Sequence, residues 1–141
     1  TYFVFQSTTT GNINNSPFAP ENGITSKSKR DSLGYLIVLD QDHHILFSNE
    51  NTEEYLLSNN VWGDIYGVLI ETEENITVES GTFLCKQNEI YAILSPNGEV
   101  SLGRSRAYYS NEIGEIFREI SSVSNPQNSW EKRLVSFEIV D

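Results

Sequence analysis

The sequence predicts an α+β fold: an antiparallel sheet of about five to seven strands, with one long helix (about 111–123) and one short helix (about 51–58) packed on it. Three observations carry this expectation. Short apolar, β-branched runs separated by turn residues recur between Leu33 and Ser110, as in a meander. At "NEIGEIFREISSV" the period changes, with Ile113, Ile116, Phe117, Ile120 and Val123 at offsets 0, 3, 4, 7 and 10, which is one face of an α-helix. A chain of 141 residues with 38% hydrophobic content suits a single domain that buries a real core.

Along the chain, residues 1–32 read as an N-terminal arm or linker. "TYFVF" has the aromatic and β-branched content of a short edge strand at 2–5, and residues 7–32 are rich in Ser, Thr, Asn, Gly and Pro, ending in the basic cluster Lys27, Lys29 and Arg30. Residues 33–141 are then a single α+β domain. "YLIVLD" is an apolar run suited to a central strand, and "HILFSN" follows so closely that Asp40 to His43 must close a tight hairpin. In "NTEEYLL", Asn51 precedes Glu54 by three residues, the spacing of a capping box that opens the short helix. "IYGVLIE" and "NITVES" read as strands around an acidic turn, Glu71 to Glu74, and "TFLCK" and "EIYAILS" as a hairpin across Gln87-Asn88. "SPNGEV" reverses the chain, because Pro96 fixes φ and Asn97-Gly98 tolerates positive φ. "EVSLG" and "SRAYY" continue the meander, the long helix follows, and the alternation of Val135, Phe137 and Ile139 predicts a closing strand.

Charge narrows the partners. The net charge is −11, and from Asp31 to Cys85 there are eleven acidic residues and no Lys or Arg. The other segments hold nine charges of each sign and cancel. A field of that sign repels phosphate backbones and anionic lipids over about 8 Å at physiological salt. Direct nucleic-acid binding and membrane insertion are therefore not expected, and the natural partner is a protein with a basic surface. Within the acidic block, Trp62 and Tyr66 in "VWGDIYG" are the large amphipathic rings that anchor interfaces. The candidate partner-binding residues are Glu50, Glu53, Glu54, Trp62, Asp64, Tyr66, Glu71, Glu73 and Glu74. Tyr108, Tyr109 and Trp130 suit contact or core equally well.

No catalytic or metal constellation emerges. Asp40, Asp42, His43 and His44 have the right donor types, but no Gly makes the sharp bend of a calcium loop and no Glu closes it; adjacent His side chains in a hairpin point to opposite faces. A Cys85–His44 dyad has no flanking motif, and the one cysteine excludes an internal disulfide. No apolar run approaches the roughly 20 residues of a membrane helix, and the amino terminus lacks a signal-peptide pattern, which favours a cytoplasmic or other intracellular location. Because the chain contains no Met, it reads as an excised or processed piece. Asn14-Asn15-Ser16 and Asn75-Ile76-Thr77 are glycosylation sequons that a secretory context would make usable.

The order "LIVLD" (36–40), "HILFSN" (44–49) and "TEEYLL" (52–57) resembles the opening of a PAS domain. That resemblance covers roughly a fifth of the chain; it implies a sheet cupping a small ligand or a partner, with signal transmission through a flanking element. The usual turn glycine is missing, with His43 near its place. No cofactor is expected: the family's flavin cysteine lies in an Asn-Cys-Arg motif on a helix, whereas Cys85 sits in "TFLCKQ", and His43 and His44 occupy a turn rather than the position of a haem ligand. The function expected is a non-catalytic binding or sensory-type module, with an acidic inhibitor or immunity-type protein that blocks a basic enzyme, or a small enzyme, as alternatives.

Overall fold

A computed structural model describes residues 2–7, 24–30, 35–38, 44–48, 53–110, 113–121 and 129–138, with side chains from residue 53 onward except that of Leu102. Every element is a strand: β1 (Tyr2–Ser7), β2 (Ile24–Arg30), β3 (Tyr35–Val38), β4 (His44–Ser48), β5 (Tyr55–Asn60), β6 (Gly63–Val78), β7 (Gly81–Leu94), β8 (Val100–Ser110), β9 (Gly114–Ser121) and β10 (Ser129–Arg133). They form two sheets whose spatial order follows the chain, β1-β2-β3-β4 and β10-β9-β8-β7-β6-β5, and every pairing is antiparallel. β4 also runs against β5 and β6.

The larger sheet buries opposite faces at its two ends. Along β7 the buried residues are Cys85, Asn88 and Ala92. Side chains alternate across a strand, so the odd step from Cys85 to Asn88 puts them on opposite faces, and the even step to Ala92 keeps that face. The change of face coincides with a bulge in β6. Ile70 pairs with Gln87 and Glu73 with Lys86, so Glu71 and Thr72 are extra residues with no counterpart on β7. Extra residues bend a strand and increase its local twist.

Beyond the bulge, Val78, Cys85 and Ile116 form a core bordered by Ile76, Phe83, Tyr108, Phe117 and Leu134. Leu134 is fastened there from both sides. Its N–H donates to Ile116 O (2.9 Å), and its carbonyl accepts from the Ser80 N–H (3.4 Å) and hydroxyl (2.8 Å) at the hairpin tip. Phe137 meets Phe83 edge-on, ring centroids 5.6 Å apart.

Before the bulge, the opposite face buries Leu69, Asn88, Ala92, Ala107 and Tyr109. Tyr55 reaches across it from the outermost strand. Its ring lies over Gly67, where a Cβ would come within 2.6 Å, and its hydroxyl donates to Asn88 Oδ1 at 2.7 Å. The glycine makes room for the ring, and the ring covers a strand position that has no side chain of its own. Tyr55→Phe leaves the buried Asn88 amide without this donor, and Asn88 Nδ2 has no partner among the described residues. Chemical denaturation should therefore show a loss of about 1–3 kcal/mol; an unchanged midpoint would show that the hydroxyl contributes nothing net.

At the other edge the same face buries an acid. Glu115 on β9 pairs with Arg118 (2.8 Å) and with Lys132 of β10 (3.5 Å), the latter within ion-pair range but long for a good hydrogen bond.

Several expectations are overturned. The fold is not α+β, because no described residue is helical. The long helix expected over 111–123 is strand β9, entered at Gly114 with φ 103°, a conformation no helix uses. Its helical spacing has a different origin. Tyr108 pairs with Phe117 but Tyr109 with Glu115, so Ile116 is an extra residue, and neighbours 116 and 117 both reach the core. The short helix expected over 51–58 is strand β5, whose first residue is locked over Gly67; a two-turn helix has too little intrinsic stability to compete with that pairing. Gln87-Asn88 is not a turn, since it lies inside the continuous strand β7, and Glu71 to Glu74 is not a turn either but part of β6, with Glu71 and Thr72 as its bulge. "EVSLG" and "SRAYY" are one strand, and residues 134–138 carry no strand. Asp40, Asp42, His43, Glu50 and Val123 lie outside the described residues.

Candidate docking surface

The end of the large sheet that carries Trp62 is assembled from two turns. Val61 and Trp62 join β5 to β6, and residues 95–99 join β7 to β8. The Ser95 N–H donates to Trp62 O at 2.9 Å, so one turn is bonded to the other. Within the second turn, the Leu94 N–H donates to Glu99 O (2.7 Å) and the Gly98 N–H to Leu94 O (2.8 Å), with Gly98 at φ 69° as the reversal requires. Close approach of the strands needs Gly63, because a Cβ there would stand 2.4 Å from Ile93 O.

What this framework presents is apolar. Val61 is 101% exposed, Trp62 45% and Val100 48%. Behind them two rows of neighbours cross the strands on one face. Asn59, Asp64, Ile93 and Val100 are successive partners in the first, and Leu56, Tyr66, Tyr91 and Arg104 in the second. Asn59 Nδ2 donates to Asp64 Oδ1 at 3.0 Å, which fixes the carboxylate beside the turn. The Tyr91 hydroxyl donates to Glu54, and burial followed by that carboxylate pushes its pKa up to about 12. Arg104 lies 5.5 Å over the Tyr91 ring and pairs with Glu89.

The structure divides the residues picked out from sequence into two groups. Glu53, Glu54, Trp62, Asp64 and Tyr66 belong to the turn-bearing end. Glu71, Glu73 and Glu74 are exposed at the β6 bulge. The partners of Asp64 and Glu73 on β7 are Ile93 and Lys86, seven residues apart, which separates the groups by roughly 24 Å at about 3.4 Å per residue. The run without cations does not stay so in space, because β8 brings Arg104 and Arg106 opposite Tyr91 and Glu89, and Lys86 faces Glu73. Glu79 is matched by Arg133 Nε at 2.8 Å; the hydrogen bond to its own backbone, then Arg133, lowers its pKa. Val61, Ile93, Glu99 and Val100 were missed, since nothing in a linear reading joins residues 61 and 100.

Cys85 is 1% exposed, and burial, then the Glu74 charge, pushes its thiol up to about 11, the reverse of an activated nucleophile. Among the described residues no group of three His, Cys, Asp or Glu side chains could hold a metal ion. Nor is any helix among them long and apolar enough to cross a membrane. Compared with protein-family models, curated proteins and solved structures, the chain matches none.

Proposed function

We propose that this chain is a non-catalytic binding module that takes a protein partner through a basic surface. One observation carries the reading: Glu71, Glu73 and Glu74 are all exposed at or beside the β6 bulge, Glu73 and Glu74 on opposite faces of the strand, and none of the three belongs to an ion pair among the described residues. Exposed carboxylates of one sign add little to affinity individually; their use is to steer and orient an oppositely charged partner. Trp62 and Tyr66 supply the rings that hold such a complex once formed.

The test is capture of partners from cell extract, followed by affinity measurement on the purified pair. The partner's contact surface should be basic, and binding should weaken at least tenfold between 50 and 300 mM salt, as screening predicts. Salt-independent binding, or an acidic partner surface, would remove the proposal.

A further inference from the structure

We infer that the joined turns at the β5–β6 and β7–β8 end form a preorganised docking point for a basic protein segment that carries apolar side chains. The inference rests on the reading above and locates its energetic centre away from the bulge. Three features support it. Val61 and Trp62 stand exposed on a turn tied to the next by the Ser95–Trp62 hydrogen bond, so the backbone that carries them is held in place before a partner arrives, and ordering costs on binding are small. Val100, at the start of β8 beyond the second turn, is exposed as well. Third, the described residues 53–66 and 94–100 contain Glu53, Glu54, Asp64 and Glu99 and no Lys or Arg, and Arg104, in the row behind them, is paired with Glu89.

That charge selects the occupant. Anionic lipid is repelled, and a second copy of the chain would bring four like charges against four. A segment bearing Lys or Arg next to Leu-type side chains matches both features: its cations meet the rim, and its apolar groups pack on Trp62 and Val61. The bulge carboxylates, roughly 24 Å away along β7, act on the rate of encounter rather than on the contact.

The experiment uses the whole chain and three probes: a synthetic peptide alternating Arg and Leu, the same peptide with Glu for Arg, and vesicles of phosphatidylcholine with phosphatidylglycerol. Amide shifts in labelled protein map the contact, and titration gives the affinity. The inference expects the Arg-Leu peptide to shift residues 61–64 and 95–100. It expects Val61→Asp and Trp62→Ala each to weaken binding at least fivefold, and the Glu-Leu peptide and the vesicles to leave the spectrum unchanged. Val61 has no packing to lose, so that variant reports contact and not folding. Shifts confined to the bulge, with binding lost on triple reversal of Glu71, Glu73 and Glu74 to Lys but not on Val61→Asp, would overturn the inference and leave the proposed function standing. Vesicle binding, or shifts that grow with protein concentration alone, would overturn it in favour of a lipid or self-association. No binding of the basic peptide at all would count against both.

Discussion

Glu115→Ala is expected to lower the stability of the fold by about 3 kcal/mol, measured as a fall in the free energy of unfolding by denaturant titration. The residue is 7% exposed, and its carboxylate stands between the Arg118 guanidinium and the Lys132 ammonium, on the face where β9 pairs with β10. Removing the acid leaves two cations crowded on one patch with their central counter-charge gone. The loss sits at the lower end of the range for breaking a buried pair because the Lys132 side chain is 35% exposed and water takes over part of its solvation. Burial alone would raise the Glu115 pKa, yet the attraction of Arg118, then Lys132, outweighs it, and the pKa lies below the usual 4.5. The sign for pH dependence follows. A carboxylate with a depressed folded-state pKa contributes stability that is fully present above its unfolded value, and that stability is lost as the pH falls through the folded one. Wild-type protein should therefore lose stability steeply on acidification below about pH 4.5, and Glu115→Ala should flatten that part of the profile. An alanine variant as stable as wild type at pH 7 would mean that the two cations find water as good a partner as the carboxylate.

Some of the strands were legible where the local signals agree with the global fold. Asn97-Gly98 reverses the chain where the structure has its turn, and the β-branched run of β3 and its partner β4 pair antiparallel. What failed were the irregularities, each of which mimics something else in one dimension. A two-residue bulge filled with Glu71 and Thr72 resembles a polar turn, because both contain consecutive residues that avoid the core. Ile116 and Phe117, brought to the same core by an extra residue opposite Tyr108 and Tyr109, resemble adjacent positions on a helix face. Asn88 resembles a turn residue until the Tyr55 hydroxyl is known to reach it from 33 residues away. The Asn51–Glu54 spacing is a local helix signal in the sequence, but Tyr55 gains more by lying over Gly67 than a two-turn helix could offer. The candidate surface shows the same division. Trp62 was identifiable from its place beside Gly63 in an acidic stretch, whereas Val100 and Ile93 join the same end only through strand register.

The second large effect is expected at Gly63. Gly63→Ala should cost about 2–4 kcal/mol, because the new methyl group would be built 2.4 Å from Ile93 O and 3.0 Å from Leu94 Cα, both backbone atoms that no rotamer change can move aside. The residue also has φ 153°, at the margin of what an L-residue with a side chain adopts. Relief requires β6 and β7 to separate at their ends, and that separation pulls directly on the Ser95–Trp62 hydrogen bond one residue away. Stability and presentation of the apolar turn are therefore coupled at this position. The variant should show both a lower unfolding midpoint and amide shifts spreading through residues 61–64 and 94–100, with affinity for the Arg-Leu peptide reduced even where the protein is fully folded. Gly98→Ala is the control, since a Cβ there meets nothing within 4 Å and only the positive φ of 69° opposes it, a cost of about 1 kcal/mol. If Gly63→Ala lost stability but bound the peptide as wild type does, the turn pair would be a structural fastening and its rigidity irrelevant to contact. Loss of affinity in proportion to the shifts at Trp62 would tie the docking surface to the glycine that lets the two strands close.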